Sequence, residues 1–189
     1  MNLGGTDMEY KTAKRMDSLP FSEIRAVMEK ATKMQQAGEN VIHLEIGRPD
    51  FDTPEKIKEA AYESLKAGHV FYTSNYGTPA LRKEIAEWEN AHHGTDYAAE
   101  EVLVTVGVGG ATYASMAAFL EDGDEVLVPN PVWLNYIHVP SSLGAVPVTY
   151  SLKEENDYQI DFEELESKLS DKTKMIVIVN PSNPTGGVF

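Results

Sequence analysis

Cysteine is absent from this chain of 189 residues. That excludes disulfides, thiolate-bound metals and cysteine nucleophiles, and it is compatible with a reducing, cytoplasmic location. Basic residues are scarce, 16 Lys and Arg against 30 Asp and Glu, for a net charge of −14. Such a field repels nucleic acid and anionic membrane surfaces, so neither is expected as a partner, and an anionic ligand would need local donors to overcome it. Long hydrophobic runs are missing as well. None approaches the roughly 20 residues that cross a bilayer, so a soluble protein with no membrane partner is expected. The opening stretch, Met1 to Met16, is polar and has no apolar core, which argues against a secretory signal; it reads as a loose arm, with Met8 a second possible start. The histidines, His43, His69, His92, His93 and His138, lack metal-ligand spacing. No metal site and no Ser/His/Asp arrangement is expected, and there is no internal repeat or low-complexity tract.

What is present is a folding composition, 42% hydrophobic, in a length suited to one domain or one domain with a small appendage. Helical spacing predicts a first helix over Pro20–Gln36, with Ser22 a candidate cap and Gly38 its stop. A short alternating piece follows, Val41–Ile46. A second helix is predicted with Thr53 as N-cap and Pro54 at its first position, running to Ala67, and a third from Pro79 to near Gly94. From Glu101 the pattern becomes regular. Strands are predicted at Val102–Val106, Glu125–Val128, Val146–Tyr150 and Met175–Val179. Between them fall a turn and helix over Gly107–Leu120, a helix over Trp133–Leu143 and a helix over Asp161–Leu169 with Asp161 as cap. Continuous apolar strands alternating with helices predict an α/β fold, a mainly parallel sheet covered on both faces. Pro147 fits Val146–Tyr150 to a sheet edge or a bulge better than to the centre. The boundary between the helical segment and the sheet region is placed near Ala98, giving 1–97 and 98–189.

In parallel sheets, ligands gather at the carboxyl ends of strands, and three unusual turns leave such ends. Gly107-Val108-Gly109-Gly110-Ala111-Thr112 joins a strand to a helix. Its glycines let the backbone approach a ligand, and the helix start offers free N–H groups to an anion such as phosphate. Asn130-Pro131-Val132-Trp133-Leu134-Asn135-Tyr136 places an indole where it can lie against a planar ring. Asn180-Pro181-Ser182-Asn183-Pro184-Thr185-Gly186-Gly187 carries a side-chain amide, Asn183, that can both donate and accept. A fourth segment, Tyr72-Thr73-Ser74-Asn75-Tyr76-Gly77, is polar and aromatic without a packing pattern. Each of these has an ordinary structural reading beside the functional one.

Their order along the chain, together with Gly47-Arg48-Pro49-Asp50-Phe51, Leu81-Arg82 and Asp122-Gly123-Asp124-Glu125-Val126, resembles the amino-terminal half of the class I/II aminotransferases. These are fold-type I enzymes that use pyridoxal 5'-phosphate. The resemblance runs from about Leu19 to Phe189. It implies a three-layer α/β/α large domain, here incomplete and preceded by an amino-terminal helical arm, with 98–189 as the first half of the cofactor-binding domain. It further implies that the turn at Val108, Gly109 and Gly110 holds the cofactor phosphate, that Trp133 stacks on the pyridine ring and that Asn183 bonds the ring's phenolic oxygen. Tyr72 would reach the phosphate of a neighbouring subunit, as in a homodimer with shared sites. Gly47, Tyr136 and Asn183 would border the substrate. A cis bond at Asn183-Pro184 follows from the same likeness. Gly110 stands where the family usually has a polar or amide residue.

The implied activity is amino-group transfer between an amino acid and a 2-oxo acid. The family's Schiff-base lysine, its acid beside the pyridine nitrogen and its carboxylate-binding arginine all lie beyond the Asn-Pro-Thr-Gly turn. No catalytic residue is therefore assigned, and Lys172 and Lys174, which precede a strand, are not promoted to that role. The expectation is an amino-terminal fragment, inactive alone. A lyase or synthase of the same fold, or a non-catalytic half-fold interaction protein, would carry the same motifs.

Overall fold

The computed structural model describes residues 11–19 and 23–189. The predicted helix start at Pro20, its cap Ser22 and the arm through residue 10 with Met8 lie outside the described residues. The chain divides into two compact units. One is Phe21–Val104, and the other is Thr105–Phe189 joined by the described residues 11–19.

In the first unit three helices follow one another: α1 (Glu23–Gln36), α2 (Glu55–Lys66) and α3 (Pro79–His93). Gly38 acts as the expected stop, at positive φ beyond α1, and Gly68 takes the same conformation beyond α2. Thr78 caps α3, its hydroxyl oxygen accepting from the Leu81 amide, Pro79 opens the helix and Gly94 closes it in the left-handed region. The cap of α2 is displaced by one residue. Pro54 holds that position and supplies no side-chain oxygen, because Thr53 is drawn back onto Asp52, whose carboxylate accepts from the Thr53 amide at 2.7 Å. Val41–Ile46 forms no strand.

Val102–Val106 is likewise not a strand, a correction to the sequence pattern. The segment is extended, but no strand of the described residues lies alongside it. Its ties are to the helical unit instead. The Val104 amide donates to the Tyr76 carbonyl at 3.0 Å, and the Arg82 guanidinium donates to the Val102 carbonyl at 2.8 Å. β-propensity gives an extended backbone, but a ladder also needs a neighbour.

The second unit is the α/β layer structure. Here α4 (Gly107–Phe119), β1 (Glu125–Asn130), α5 (Asn135–Ser142), β2 (Val146–Ser151), α6 (Phe162–Ser167) and β3 (Thr173–Ile176) alternate along the chain. The strands form a parallel sheet in the order β2-β1-β3. β2, with Pro147, lies at an edge of the three strands, one of the places a strand proline suits. Strand β1 is central and buried on both faces. Val126 and Val128 face Met116 and Leu120 of the α4 region with Ala145, and α5 packs against the same cluster through Tyr136, Ile137 and Val139. Leu127 faces the other way, to Tyr150 and Leu152, with Leu165 of α6 behind them. Alternation of side chains across a pleated strand thus separates the two helical layers, α4/α5 and α6, by one sheet.

Candidate cofactor site at the carboxyl rim of the sheet

Two turns leave carboxyl ends of strands, after β1 and beyond β3, and a third, at Gly107, opens α4 after the unpaired segment 102–106. Gly107 enters the helix at a φ of 68°, a conformation that favours glycine. The N-cap, Val106, contributes no side-chain hydrogen bond and is almost wholly exposed. Helix starts carry orphan N–H groups and partial positive charge, so the amides of Val108 and Gly109, just ahead of Gly110, stand there without a side-chain cap. Neither Gly109 nor Gly110 is too crowded for a β-carbon. A β-carbon on Gly110 would sit 3.4 Å from Thr105 Cβ, and one on Gly109 would sit 4.0 Å from the Trp133 ring. The Thr105 hydroxyl donates to the Gly107 carbonyl at 2.9 Å, and the buried Thr112 hydroxyl donates to the Val108 carbonyl at 2.8 Å, which holds the turn in shape.

Trp133 follows β1 through the cis Asn130-Pro131 bond. Its helix begins at Asn135, two residues later than helical spacing predicts, and Tyr136 lies in the first turn with its ring edge-on to Trp133, centroids 5.7 Å apart at 82°. Asn183 lies beyond the carboxyl end of β3. Its turn is closed by two bonds of 2.8 Å, the Ser182 amide to the Gly187 carbonyl and the Gly186 amide to the Ser182 carbonyl. Asn183-Pro184 is cis, as is Asn180-Pro181. The Asn183 side chain is exposed, and no hydrogen bond to it is made among the described residues. Lys172 and Lys174 flank the start of β3, so they stand at the opposite, amino rim.

The sheet unit therefore sets Trp133 beside the Gly109 backbone and edge-on to Tyr136, and sends the Asn183 turn off the same rim. Tyr72 and Gly47 belong to the other unit. There, Tyr72 is completely exposed, and Gly47 stands in open space, with nothing within 4 Å of a β-carbon built on it. A hollow of about 610 Å³ runs along Arg48–Thr53. One continuous stretch of chain lines it, so no second element supplies a wall.

A profile for the family described as "Aminotransferase class I and II" matches residues 39–189. The chain belongs to the class I and II aminotransferases. It is 40% identical to the aspartate aminotransferase of Geobacillus stearothermophilus, over 95% of this chain and 46% of that protein. It is 43% identical to the aspartate aminotransferase of Pyrococcus horikoshii, over 96% of this chain and 45% of that protein. Among solved structures, the alanine aminotransferase of Pyrococcus furiosus superposes with a TM-score of 0.90 at 39% identity, over 94% of this chain and 46% of that one. The aspartate aminotransferase of Thermus thermophilus with maleate gives 0.90 at 34%, over 95% and 47%. The chain thus spans about half the length of the relatives it matches.

Two residues near this aminotransferase rim escape a reading by sequence. Ser182 is buried at 5% exposure, and its hydroxyl has no partner among the described residues. Nothing in a string of Asn, Pro and Ser marks which side chain turns inward. Tyr150, on the edge strand, reaches across β1 to donate its buried hydroxyl to the Val177 carbonyl at 2.8 Å. A proline inside the central strand, Pro129, is the available sequence signal for that contact.

Proposed function

We propose that this chain forms the phosphate- and ring-holding face of a pyridoxal 5'-phosphate-dependent aminotransferase, one that moves an amino group between an amino acid and a 2-oxo acid. The observation that carries this reading is the placement of Trp133 beside Gly109, 4.0 Å from where a β-carbon there would lie, at the start of a helix whose first amides lack a side-chain cap. A flat aromatic wall beside an array of N–H donors suits a phosphorylated pyridine, and the donor set fits that group without a metal. In this reading the amides of Val108, Gly109 and Gly110 take the phosphate, Trp133 lies against the ring and the Asn183 amide bonds its phenolic oxygen. Tyr136 and Asn183 border the substrate.

Bound there, the cofactor supplies an electron sink that eases deprotonation at the substrate's α-carbon. The named residues bind, orient and exclude water; none of them moves a proton. Aspartate is the favoured amino donor, since the two curated relatives carry that name and one solved neighbour is described with the dicarboxylate maleate. A cytoplasmic homodimer belongs to the same reading, supported by the absence of cysteine and by a Tyr72 side chain free to meet a second subunit's phosphate. So does the division into an arm with helical segment, 1–97, and the first half of a cofactor domain, 98–189. Among the described residues no helix is long and apolar enough to cross a membrane.

The test uses pyridoxamine 5'-phosphate, which has no aldehyde to react with surface lysines. In a Trp88→Phe background, fluorescence from Trp133 reports on the site. Saturable quenching is expected, with pyridoxamine lacking the phosphate binding at least about tenfold more weakly, the equivalent of one charge-assisted bond or more. Equal binding of the two compounds, or none, would refute the assignment.

A further inference from the structure

We infer that Tyr150 is a positioning residue for the Asn183 turn: its hydroxyl supplies the rung that Pro129 removes from the β1–β3 ladder. The inference rests on the reading of Asn183 as a cofactor contact, but its structural part stands on the sheet alone. A parallel ladder alternates evenly. The Glu125 amide donates to the Lys172 carbonyl, and the Val177 amide donates to the Leu127 carbonyl, both at 2.8 Å. With Leu127 opposite Ile176, the next donor toward β3 is the amide of residue 129 and its acceptor is the Val177 carbonyl. Residue 129 is a proline, fully buried in the central strand, and has no N–H to give.

Left alone, the carbonyl of a residue only 9% exposed would be orphaned. The Tyr150 ring, 1% exposed and packed with Leu127 and Leu152, carries its hydroxyl past β1 to that same atom at 2.8 Å. Burial raises the phenol's pKa above its ordinary 10.0, so the donor proton is retained. The consequence is local. β3 ends at Ile176, and the chain leaves β1 with its last carbonyl satisfied, six residues ahead of Asn183. Tyr150 thereby sets where the turn departs, although it lies on a strand that does not touch β3.

The experiment is amide hydrogen exchange on the full chain, comparing wild type with Tyr150→Phe, which keeps the ring and removes only the hydroxyl. Exchange at the Val177, Ser182 and Gly186 amides is expected to accelerate about tenfold, the usual scale for one orphaned buried acceptor. Leu120 at the end of α4 and Leu152 beside β1 should stay within about twofold. Pro129→Ala restores the missing N–H, so in that background the Tyr150→Phe acceleration should fall at least about threefold. Affinity for pyridoxamine 5'-phosphate should drop about tenfold in Tyr150→Phe, and less with Pro129→Ala present. Uniform acceleration at all sites, none at all, or an effect indifferent to Pro129→Ala would overturn the inference. So would selective acceleration with unchanged affinity in a chain that binds the probe. If wild type does not bind the probe, the cofactor reading fails, while selective, Pro129-dependent exchange still supports the positioning role.

Discussion

Cγ2 of Val104 lies 2.7 Å from the point where a side chain on Gly77 would begin, and Gly77 holds a φ of 100°. This contact ties the loop before α3 to the extended segment 102–106, beside the Val104–Tyr76 backbone bond. Gly77→Ala is therefore penalised twice, by backbone strain of about 1–3 kcal/mol and by overpacking of similar size. Gly38 has a comparable φ of 91° but open space around it. Urea unfolding of Gly77→Ala is expected to show a loss at least about 1 kcal/mol larger than that of Gly38→Ala. Equal losses would mean that Val104 gives way freely.

Asn90 makes a second fastening in the same unit. Its amide nitrogen donates to the Tyr97 carbonyl at 2.9 Å, and its amide oxygen accepts from the Thr95 hydroxyl at 2.9 Å and the Tyr97 amide at 2.7 Å. Asn90→Ala removes all three and should cost about 1–3 kcal/mol. Asn90→Asp keeps the two acceptor bonds and should recover more than half of the loss. Thermal melts of the two variants decide the matter, and a ranking with aspartate no better than alanine would rule out the staple.

The Glu164 carboxylate fastens α6 to β2. One oxygen accepts from both the Ser151 hydroxyl at 2.9 Å and the Ser151 amide at 3.2 Å, while Lys153 Nζ stands 3.6 Å from the other. The Ser151 hydroxyl bond, its amide and the Lys153 charge outweigh burial and hold the Glu164 pKa below its ordinary 4.5. A pKa depressed on folding gives stability that is complete above the unfolded value and is lost as pH falls through the folded one. Glu164→Gln is thus expected to be less stable than wild type at pH 7. The gap between their urea midpoints should narrow once pH drops below about 4.5. A gap constant down to pH 3 would show that the charge contributes nothing.

The fold was legible wherever a local signal sufficed. Pro79 and Gly94 bound α3 by chemistry that needs no partner, and Pro147 narrowed its strand to an edge or a bulge, of which the sheet shows the edge. Legibility failed where the outcome depends on a neighbour. Val102–Val106 has the composition of a strand yet pairs with no strand in the described structure. Pro129 lay just past the predicted end of its strand, and its meaning appears only once the register sets Leu127 opposite Ile176. The site behaves the same way. Glycines, indole and amide could be read singly, but the placement of Trp133 beside Gly109 comes from a helix and a strand meeting at one rim.

That placement carries the sharpest prediction about function. A β-carbon on Gly109 would meet the Trp133 ring at 4.0 Å, ordinary van der Waals distance, so Gly109→Ala should fold normally and keep its affinity for pyridoxamine 5'-phosphate within about threefold. Gly109→Val adds two methyl groups beyond that point, against the ring, and should shift it at a cost of about 1–3 kcal/mol, read as at least a tenfold weaker complex. Trp133→Ala removes the wall itself and should weaken binding by a similar or larger factor, with Trp133→Phe intermediate because it keeps a smaller aromatic face. Isothermal titration on these variants, with melting temperatures to confirm folding, is expected to rank Gly109→Ala as the tightest binder and Trp133→Phe next, with Gly109→Val and Trp133→Ala weakest. If Gly109→Val binds like wild type while Trp133→Ala does not, the ligand meets the indole away from the helix start, and the amides of Val108, Gly109 and Gly110 do not hold its phosphate.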